Sequence, residues 1–390
     1  MWKSRVAYFL VLLCVILFFI CFNGYLSLYL LVLSLLLPVV SLAISLPAML
    51  GVRISLSAGQ GETSVPGARK GESIPLGLEV WNATPFSSGR VRARLTVRNT
   101  FTGQRERERF LFTAGPQRQL FQHQLTSQTC GQVVCRVEHL WVCDHLGLFA
   151  LPVRRPREVT AYFWPTVYPV EPELLESPTP DSEGERYSQK KPGDDPTELF
   201  ALRDYQEGDR LSRVHWKLSQ KLGRTLVKEL GLPLSDHLLF LLDLNGDSLE
   251  ADALLDAFAS LSSFLAEGEH AHRVLYWSPS KGQFQCREVT QFQDVLPLWQ
   301  ELLAFGCQLS FPPLSEDVLP GGISHGIYLC HAPQSQPLLV LENKFPSARL
   351  TVIQTSSQQE ELPAELRPAS LERILLTPGQ IPQSLNGLTL

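Results

Sequence analysis

The sequence predicts two N-terminal transmembrane helices, then an all-β sandwich-like domain, then a doubly wound α/β domain. Three observations carry this reading. Apolar residues fill the start of the chain, and short alternating runs between turn residues follow. Beyond a charged connector, buried-strand and helical patterns take turns.

Residues 6–22 are almost uninterrupted Val, Leu, Ile and Phe, and after Asn23 and Gly24 a second apolar run covers 25–50. About 20 apolar residues cross a bilayer core, so the first run is near the lower limit and the second is ample. Pro38 and Pro47 fall in the second run, where a membrane helix tolerates a kink. A secretory signal peptide would share the charged start. Its apolar core is shorter, however, and a second long span here follows almost at once. The short Asn23-Gly24 link makes residues 1–52 a transmembrane hairpin. Lys3 and Arg5 precede the first span, Arg53 follows the second, and the turn is uncharged. The positive-inside rule then predicts a two-pass protein of the cytoplasmic membrane, with both termini and the soluble domains cytosolic. The lipid bilayer is its first expected partner.

The 390 residues carry a net charge of −5, and subtracting the +2 of residues 1–52 leaves −7 for the remainder. An acidic body argues against nucleic acid as a partner, because phosphate binding needs a basic face. Cys14 and Cys21 lie in the first span. Cys130, Cys135, Cys143, Cys286, Cys307 and Cys330 show no CxxC or zinc-like spacing and read as buried, reduced thiols.

Residues 53–164 read as the sandwich-like domain, with strands at 74–81, 91–97, 109–112 and 133–142 and an opening strand at 53–56. Arg90, Arg92, Arg94 and Arg98 are evenly spaced and so share one strand face. That face is either simply solvated or in contact with anionic lipid headgroups; Glu106 and Glu108 could instead pair with it across a hairpin.

An acidic, Pro/Ser-rich connector occupies 165–198, carrying Glu171, Glu173, Glu176, Asp181, Glu183 and Glu185. From 199 the pattern becomes α/β. A continuous apolar run at 238–244 suggests a strand buried on both faces, and 248–266 has helical spacing. Further strands are expected at 273–277, 284–289, 326–330, 337–341 and 350–354, with a helix over 292–305.

The densest information lies just before the first α/β strand. Gly208 allows a tight turn, Asp209 can bond the amides near it, and Arg203 and Arg213 suit bidentate carboxylate contacts. Trp216 suits burial with its indole N–H satisfied. Arg203, Tyr205 and Trp216 read as architectural, and Arg213, His215 and Lys217 as a surface for a partner.

The pattern Arg203-x-Tyr205, Gly208-Asp209, Arg213-x-His215-Trp216-Lys217 and Val227-Lys228-Glu229 resembles the signature of the bacterial domain of unknown function 58 family. Asp144-His145-Leu146-Gly147-Leu148-Phe149 resembles that family's Asp-Pro-x-Gly-Leu-Phe element, with His145 and Leu146 in the middle. The resemblance implies that residues 199–390 hold the motif and a von Willebrand factor A-like domain. It also implies a non-catalytic adaptor or scaffold working with a MoxR-type AAA+ ATPase and other membrane proteins, in assembly or maturation of envelope proteins. Von Willebrand A-like domains bind metal through Asp-x-Ser-x-Ser after the first strand. Here the matching residues are Asp243-Leu244-Asn245-Gly246-Asp247. Asp243, Asn245 and Asp247 would form a degenerate site for Mg²⁺ or Ca²⁺ in a metal-dependent binding module. The plainer reading is a strand-end turn, with Asp247 or Ser248 capping the next helix.

An enzyme is the competing class, with His215, Asp209 and Lys217 as an acid/base set and Ser219 as a weak nucleophile. No Gly-x-Ser-x-Gly, His-Glu-x-x-His or Walker segment supports it. The pairs Cys330/His331 and Cys143/His145 read as strand residues, and the acidic connector would repel a nucleic-acid phosphate from the motif. Catalytic residues and cofactors are accordingly not expected.

Overall fold

A computed structural model describes residues 2–22, 24–59, 66–173, 179–180, 186–187, 192, 195–231, 233–235, 237–307, 311–355 and 371–389. Asn23 and the connector carboxylates Glu176, Asp181, Glu183 and Glu185 lie outside the described residues. The chain divides into two compact units, Met1–Trp164 and Pro165–Leu390.

The first unit opens with helices α1 (Trp2–Cys21) and α2 (Tyr25–Gly51), whose apolar side chains are mostly exposed. At 20 and 27 residues both are long and apolar enough to cross a membrane. Pro38 and Pro47 are accommodated within α2. Strands β1 (Val52–Ala58), β2 (Gly67–Arg69), β3 (Ser73–Asn82), β4 (Arg90–Asn99) and β5 (Arg105–Thr113) follow, then β6 (Gln119–Thr126), β7 (Gly131–Cys143), β8 (Ala150–Pro152) and β9 (Val159–Trp164). They form one sheet of order β1-β3-β6 and a second of order β2-β9-β7-β4-β5, with β8 added beside β7.

Alternation builds the core between these sheets. In β3 every second residue is buried, and Leu76 and Val80 meet Val91 and Leu95 of β4 and Val133 and Val137 of β7 in one cluster. Phe112 stacks on Phe121 with ring centroids 5.1 Å apart. The end of α2 enters the same core through Met49. There the buried Asn82 amide donates to the Ala48 carbonyl at 2.8 Å, capping the helix where the chain turns into β1. A Cβ on Gly51 would fall 2.2 Å from Asn82 Oδ1, so this joint requires glycine.

The second unit starts with a ladder of β12 (Asp195–Asp204) and β13 (Leu226–Gly231), reached after the short pieces β10 (Thr179–Pro180) and β11 (Arg186–Tyr187). Helix α3 (Trp216–Leu222) lies between the ladder strands, and β14 (Pro233–Ser235) pairs with β10 and β11. The main sheet takes β15 (His237–Leu242), β16 (His272–Ser278), β17 (Gln283–Val289), β18 (Ile323–Cys330), β19 (Arg349–Gln354) and β20 (Leu371–Leu375). Its order is β17-β16-β15-β18-β19-β20, parallel throughout except for β17 at the edge. Helices α4 (Ser248–Glu267), α5 (Phe292–Ala304) and α6 (Ser335–Lys344) make the connections, and α7 (Ile381–Leu385) closes the chain.

Leu239 and Leu241 face α6 through Leu338 and Leu341, while Phe240 on the opposite face meets Phe258 of α4 at 5.5 Å. The strand expected at 337–341 is therefore part of a helix. Pro337 sits in the first turn, where its missing N–H costs nothing, and Leu338 and Leu341 are spaced to share one helical face. The cysteines also depart from expectation in part: Cys286 is exposed and Cys307 half-buried, while Cys130, Cys135, Cys143 and Cys330 are buried.

The outer face of β4 is a third departure. Glu106 and Glu108 pair in register with Val97 and Leu95, so they project to the side opposite the arginines, and Glu108 meets His123 at 3.2 Å instead.

Candidate functional site

The motif residues form a braced platform on the β12/β13 ladder. Arg203 of β12 donates to both carboxylate oxygens of Asp209, at 2.6 and 2.7 Å, and through Nε to Glu229 of β13 at 3.0 Å. Asp209 also accepts the Gln206 N–H at 2.8 Å, closing a turn in which Gly208 holds φ +107°, a conformation few side chains allow. The Arg203 hydrogen bonds first, and the Gln206 amide second, hold the Asp209 carboxyl down to about 2. Lys228 lies half-buried on β13, opposite Leu202.

His215 is spent on architecture. Its Nδ1 accepts the Leu218 N–H at 3.3 Å as the cap of α3, and its backbone N–H donates to Leu226 at 2.8 Å. Ser219 is buried, donates to the His215 carbonyl at 3.0 Å and accepts from the Leu226 N–H at 2.9 Å. Asp209, ionised far below neutrality, makes no general base, and Ser219 has its hydroxyl turned to backbone. Structural bonds thus occupy Asp209, Ser219 and one ring nitrogen of His215, whereas Lys217 is exposed.

Trp216 differs from expectation: it is 59% exposed rather than buried. It opens the short helix α3, whose cap and Ser219 bonds hold it against β13, so the indole projects from a fixed base. Lys217 beside it is exposed, Tyr205 is 39% exposed, and Leu211 and Leu222 stand open on the same segment. Arg213 closes the adjoining 3-10 turn, close enough for its charge to lower the Asp209 pKa further. An exposed Trp with Arg and Lys around it has the composition of an interface anchor.

A second site lies where the sheet order reverses, at the carboxyl ends of β15 and β18. Asp243, Asn245 and Gly246 line a cleft of about 420 Å³ together with His331, Pro333 and Gln334. Asp243 is 2% exposed, and its carboxylate accepts from Tyr328 Oη at 3.1 Å and the Asn245 N–H at 3.1 Å. Burial raises its pKa to about 6 despite these bonds. Both polar atoms of the Asn245 amide are buried without a partner among the described residues.

A divalent ion does not fit this donor set. Asp247 turns away to cap α4, accepting the Ser248 N–H at 2.7 Å, and His331 Nδ1 lies 2.9 Å from Glu250. Among the described residues no three His, Cys, Asp or Glu side chains gather as metal ligands. Asp243 and Asn245 border the cleft, but the carboxyl and the unpaired amide are themselves buried. Tyr328 and Gln334 were not singled out from the sequence, and His331, like His145, was expected in a strand but lies just past a strand's end. The signal for Tyr328, His331 and Gln334 is positional, since they sit at or just beyond the end of the strand that neighbours β15.

No family model matches the chain, and no curated protein matches it. Among solved structures it is similar to the CARDB domain of a Pyrococcus furiosus protein in complex with di-metal ions. That likeness has 12% identity, covers 29% of this chain and 83% of that domain, and has a TM-score of 0.19. It is also similar to the alkylpurine DNA glycosylase AlkC of Pseudomonas fluorescens bound to DNA containing an abasic-site analogue. There the identity is 15%, the coverage 35% of this chain and 38% of that one, and the TM-score 0.20. Likenesses this slight bear on neither fold nor function.

Proposed function

We propose that the chain is a membrane-anchored, non-catalytic adaptor whose cytosolic C-terminal unit is von Willebrand A-like and works with a MoxR-type AAA+ ATPase on envelope proteins. The exposed Trp216-Lys217 pair on its braced platform carries this reading, because the fold pins the segment yet leaves its largest side chain to solvent. The sheet order β17-β16-β15-β18-β19-β20, with one antiparallel edge, suits a von Willebrand A-like unit. Two long apolar helices suit the anchor, and Lys3, Arg5 and Arg53 at one end of the hairpin suit a cytosolic body. The motif's resemblance to the domain of unknown function 58 family supplies the choice of partner.

The test is capture of a purified MoxR-type ATPase by the full chain held in lipid nanodiscs. Trp216→Ala and Lys217→Ala should each weaken capture by about tenfold or more, as truncated interface anchors do, without lowering thermal stability. Undiminished capture by both variants removes the platform from the interface, and no capture by the unaltered chain rejects the partner.

A further inference from the structure

The outer face of the β2-β9-β7-β4-β5 sheet carries a charge that the fold does not explain. Arg90, Arg92, Arg94 and Arg98 of β4 all project there. Register places Arg105, Arg107 and Arg109 of β5 and Arg136 of β7 on the same side. Among the described residues two carboxylates answer them: Glu138 pairs with Arg105, and Glu158 with Arg136 at 3.4 Å. Eight arginines against two glutamates leave six positive charges on one face of an acidic chain.

Arg90, Arg92, Arg94, Arg98 and Arg109 make no ion pair among the described residues. Arg94 stands directly opposite Arg109, and Arg98 opposite Arg105. Like charges in such cross-strand positions cost stability, so packing alone gives no reason for them. Arg92 lies between Leu111 and Trp141, which are 64% and 42% exposed. Arginine between an exposed Trp and Leu is the composition of a membrane–water interface.

The hairpin fixes where this face begins. The loop after β7 grips both helices: Arg5 Nε donates to Leu148 O at 2.9 Å, and Ser41 Oγ to Asp144 at 3.3 Å. From Tyr25 to Ser41, α2 rises about 25 Å, close to the roughly 30 Å of a bilayer's hydrocarbon. The loop therefore lies at headgroup level, with Leu146 and Phe149 exposed on it. Val91 pairs with Val142, so the Arg90 end of β4 adjoins that loop.

We propose that this arginine face docks on anionic phospholipid headgroups of the membrane that holds the hairpin. The charge complementarity is direct, and the face is continuous with the anchor at Asp144. The proposal rests on the membrane-anchored reading. Each arginine near an anionic surface strengthens attraction about fivefold, so docking of the face should depend on the anionic lipid content of the membrane.

The experiment uses the full chain with its exposed cysteines Cys14, Cys21 and Cys286 replaced by serine. Leu111→Cys then carries an environment-sensitive fluorophore, and Leu120→Cys, 59% exposed on β6 of the other sheet, is the control. The chain is placed in nanodiscs of phosphatidylcholine, with or without phosphatidylglycerol. Phosphatidylglycerol should blue-shift and brighten the Leu111→Cys probe and leave the control unchanged. The shift should vanish at about 1 M salt, where the Debye length is about 3 Å. Arg90→Gln, Arg92→Gln and Arg94→Gln together should lower the docked-to-undocked ratio by about a hundredfold. Because the salt arm needs no arginine replacement, misfolding of the triple variant cannot decide the result. Incorporation into both discs with identical emission overturns the docking proposal alone, whereas failure to incorporate into either overturns the anchor beneath it. A probe that responds to single-stranded RNA and not to phosphatidylglycerol assigns the face to nucleic acid and also overturns the proposal.

Discussion

Arg203 in the C-terminal unit and Arg92 in the N-terminal unit are both strand arginines, yet their surroundings are opposite. Arg203 gives its guanidinium to Asp209 in the turn after its strand, and to Glu229 and the Asp204 carbonyl within its ladder. Arg92 has Trp141 on one side, Leu111 on the other, and no carboxylate partner among the described residues. The difference extends to the units that hold them. The α/β unit buries several titratable groups and gives them partners, His272, His325 and Asp243 among them. The sandwich unit buries a largely apolar core and wears its charge outside. Paired charge belongs to folding, and unpaired charge of one sign belongs to something outside the fold.

The largest effect that would sharpen this contrast is acid sensitivity confined to the C-terminal unit. Burial holds His272 and His325 down to about 4 from the ordinary 6.5, with Ser262 and Thr351 each 2.8 Å from Nε2. Their folded values lie below the unfolded ones. The stability they contribute is therefore present above pH 6.5 and lost as the pH falls toward 4, about 3 kcal/mol for each. Asp243 runs the other way. Its pKa is raised from 3.8 to about 6, so acidification through that range returns about 3 kcal/mol. Urea unfolding should show the α/β unit losing a net of about 3 kcal/mol between pH 7 and 4. Asp243→Asn should be more stable at pH 7 and lose about twice as much, because nothing then offsets the histidines. An acid loss unchanged in Asp243→Asn breaks the account.

Next in size is the joint between the hairpin and the sandwich. Asn82→Ala leaves the Ala48 carbonyl and the Thr84 N–H without their side-chain partner in a buried place. A cost of about 1–3 kcal/mol should appear in the sandwich transition and leave the α/β transition in place. If both transitions shift together, the two units do not unfold independently.

The sequence was most legible where one period governed a segment. The apolar runs of α1 and α2, the alternation of β3 and β4, and the helical spacing of Leu254, Leu255 and Phe258 each imply a single structure. At 337–341 the pattern failed, because a five-residue apolar run fits a strand and a helix turn equally, and only packing against Leu239 and Leu241 decides. Trp216 was misread for a related reason: residue type suggests burial, but α3 is too short to cover its first side chain. Asp209 was legible, since Gly208-Asp209 implies its turn. The cleft residues His331 and Tyr328 were not, because they reach Asp243 only through strand order, which no local pattern encodes. Glu106 and Glu108 failed on parity. Pairing put them opposite Val97 and Leu95, and that register was not available from spacing within one strand.

The smallest effects test the contrast between paired and unpaired arginines most directly, because they should differ in sign. Arg203→Lys keeps the charge but loses the planar fork that serves Asp209 and Glu229 at once, so the thermal midpoint of the C-terminal unit should fall. Arg94→Gln removes one member of a like-charged cross-strand pair with Arg109 and breaks no side-chain bond among the described residues. It should raise the stability of the sandwich by about 0.2–1 kcal/mol, most clearly at low salt. A stabilised Arg94→Gln would mean that this arginine is kept at a cost to folding, as a residue serving an external anion should be. A destabilised Arg94→Gln would mean that the fold does use the charge, and the contrast with Arg203 would dissolve.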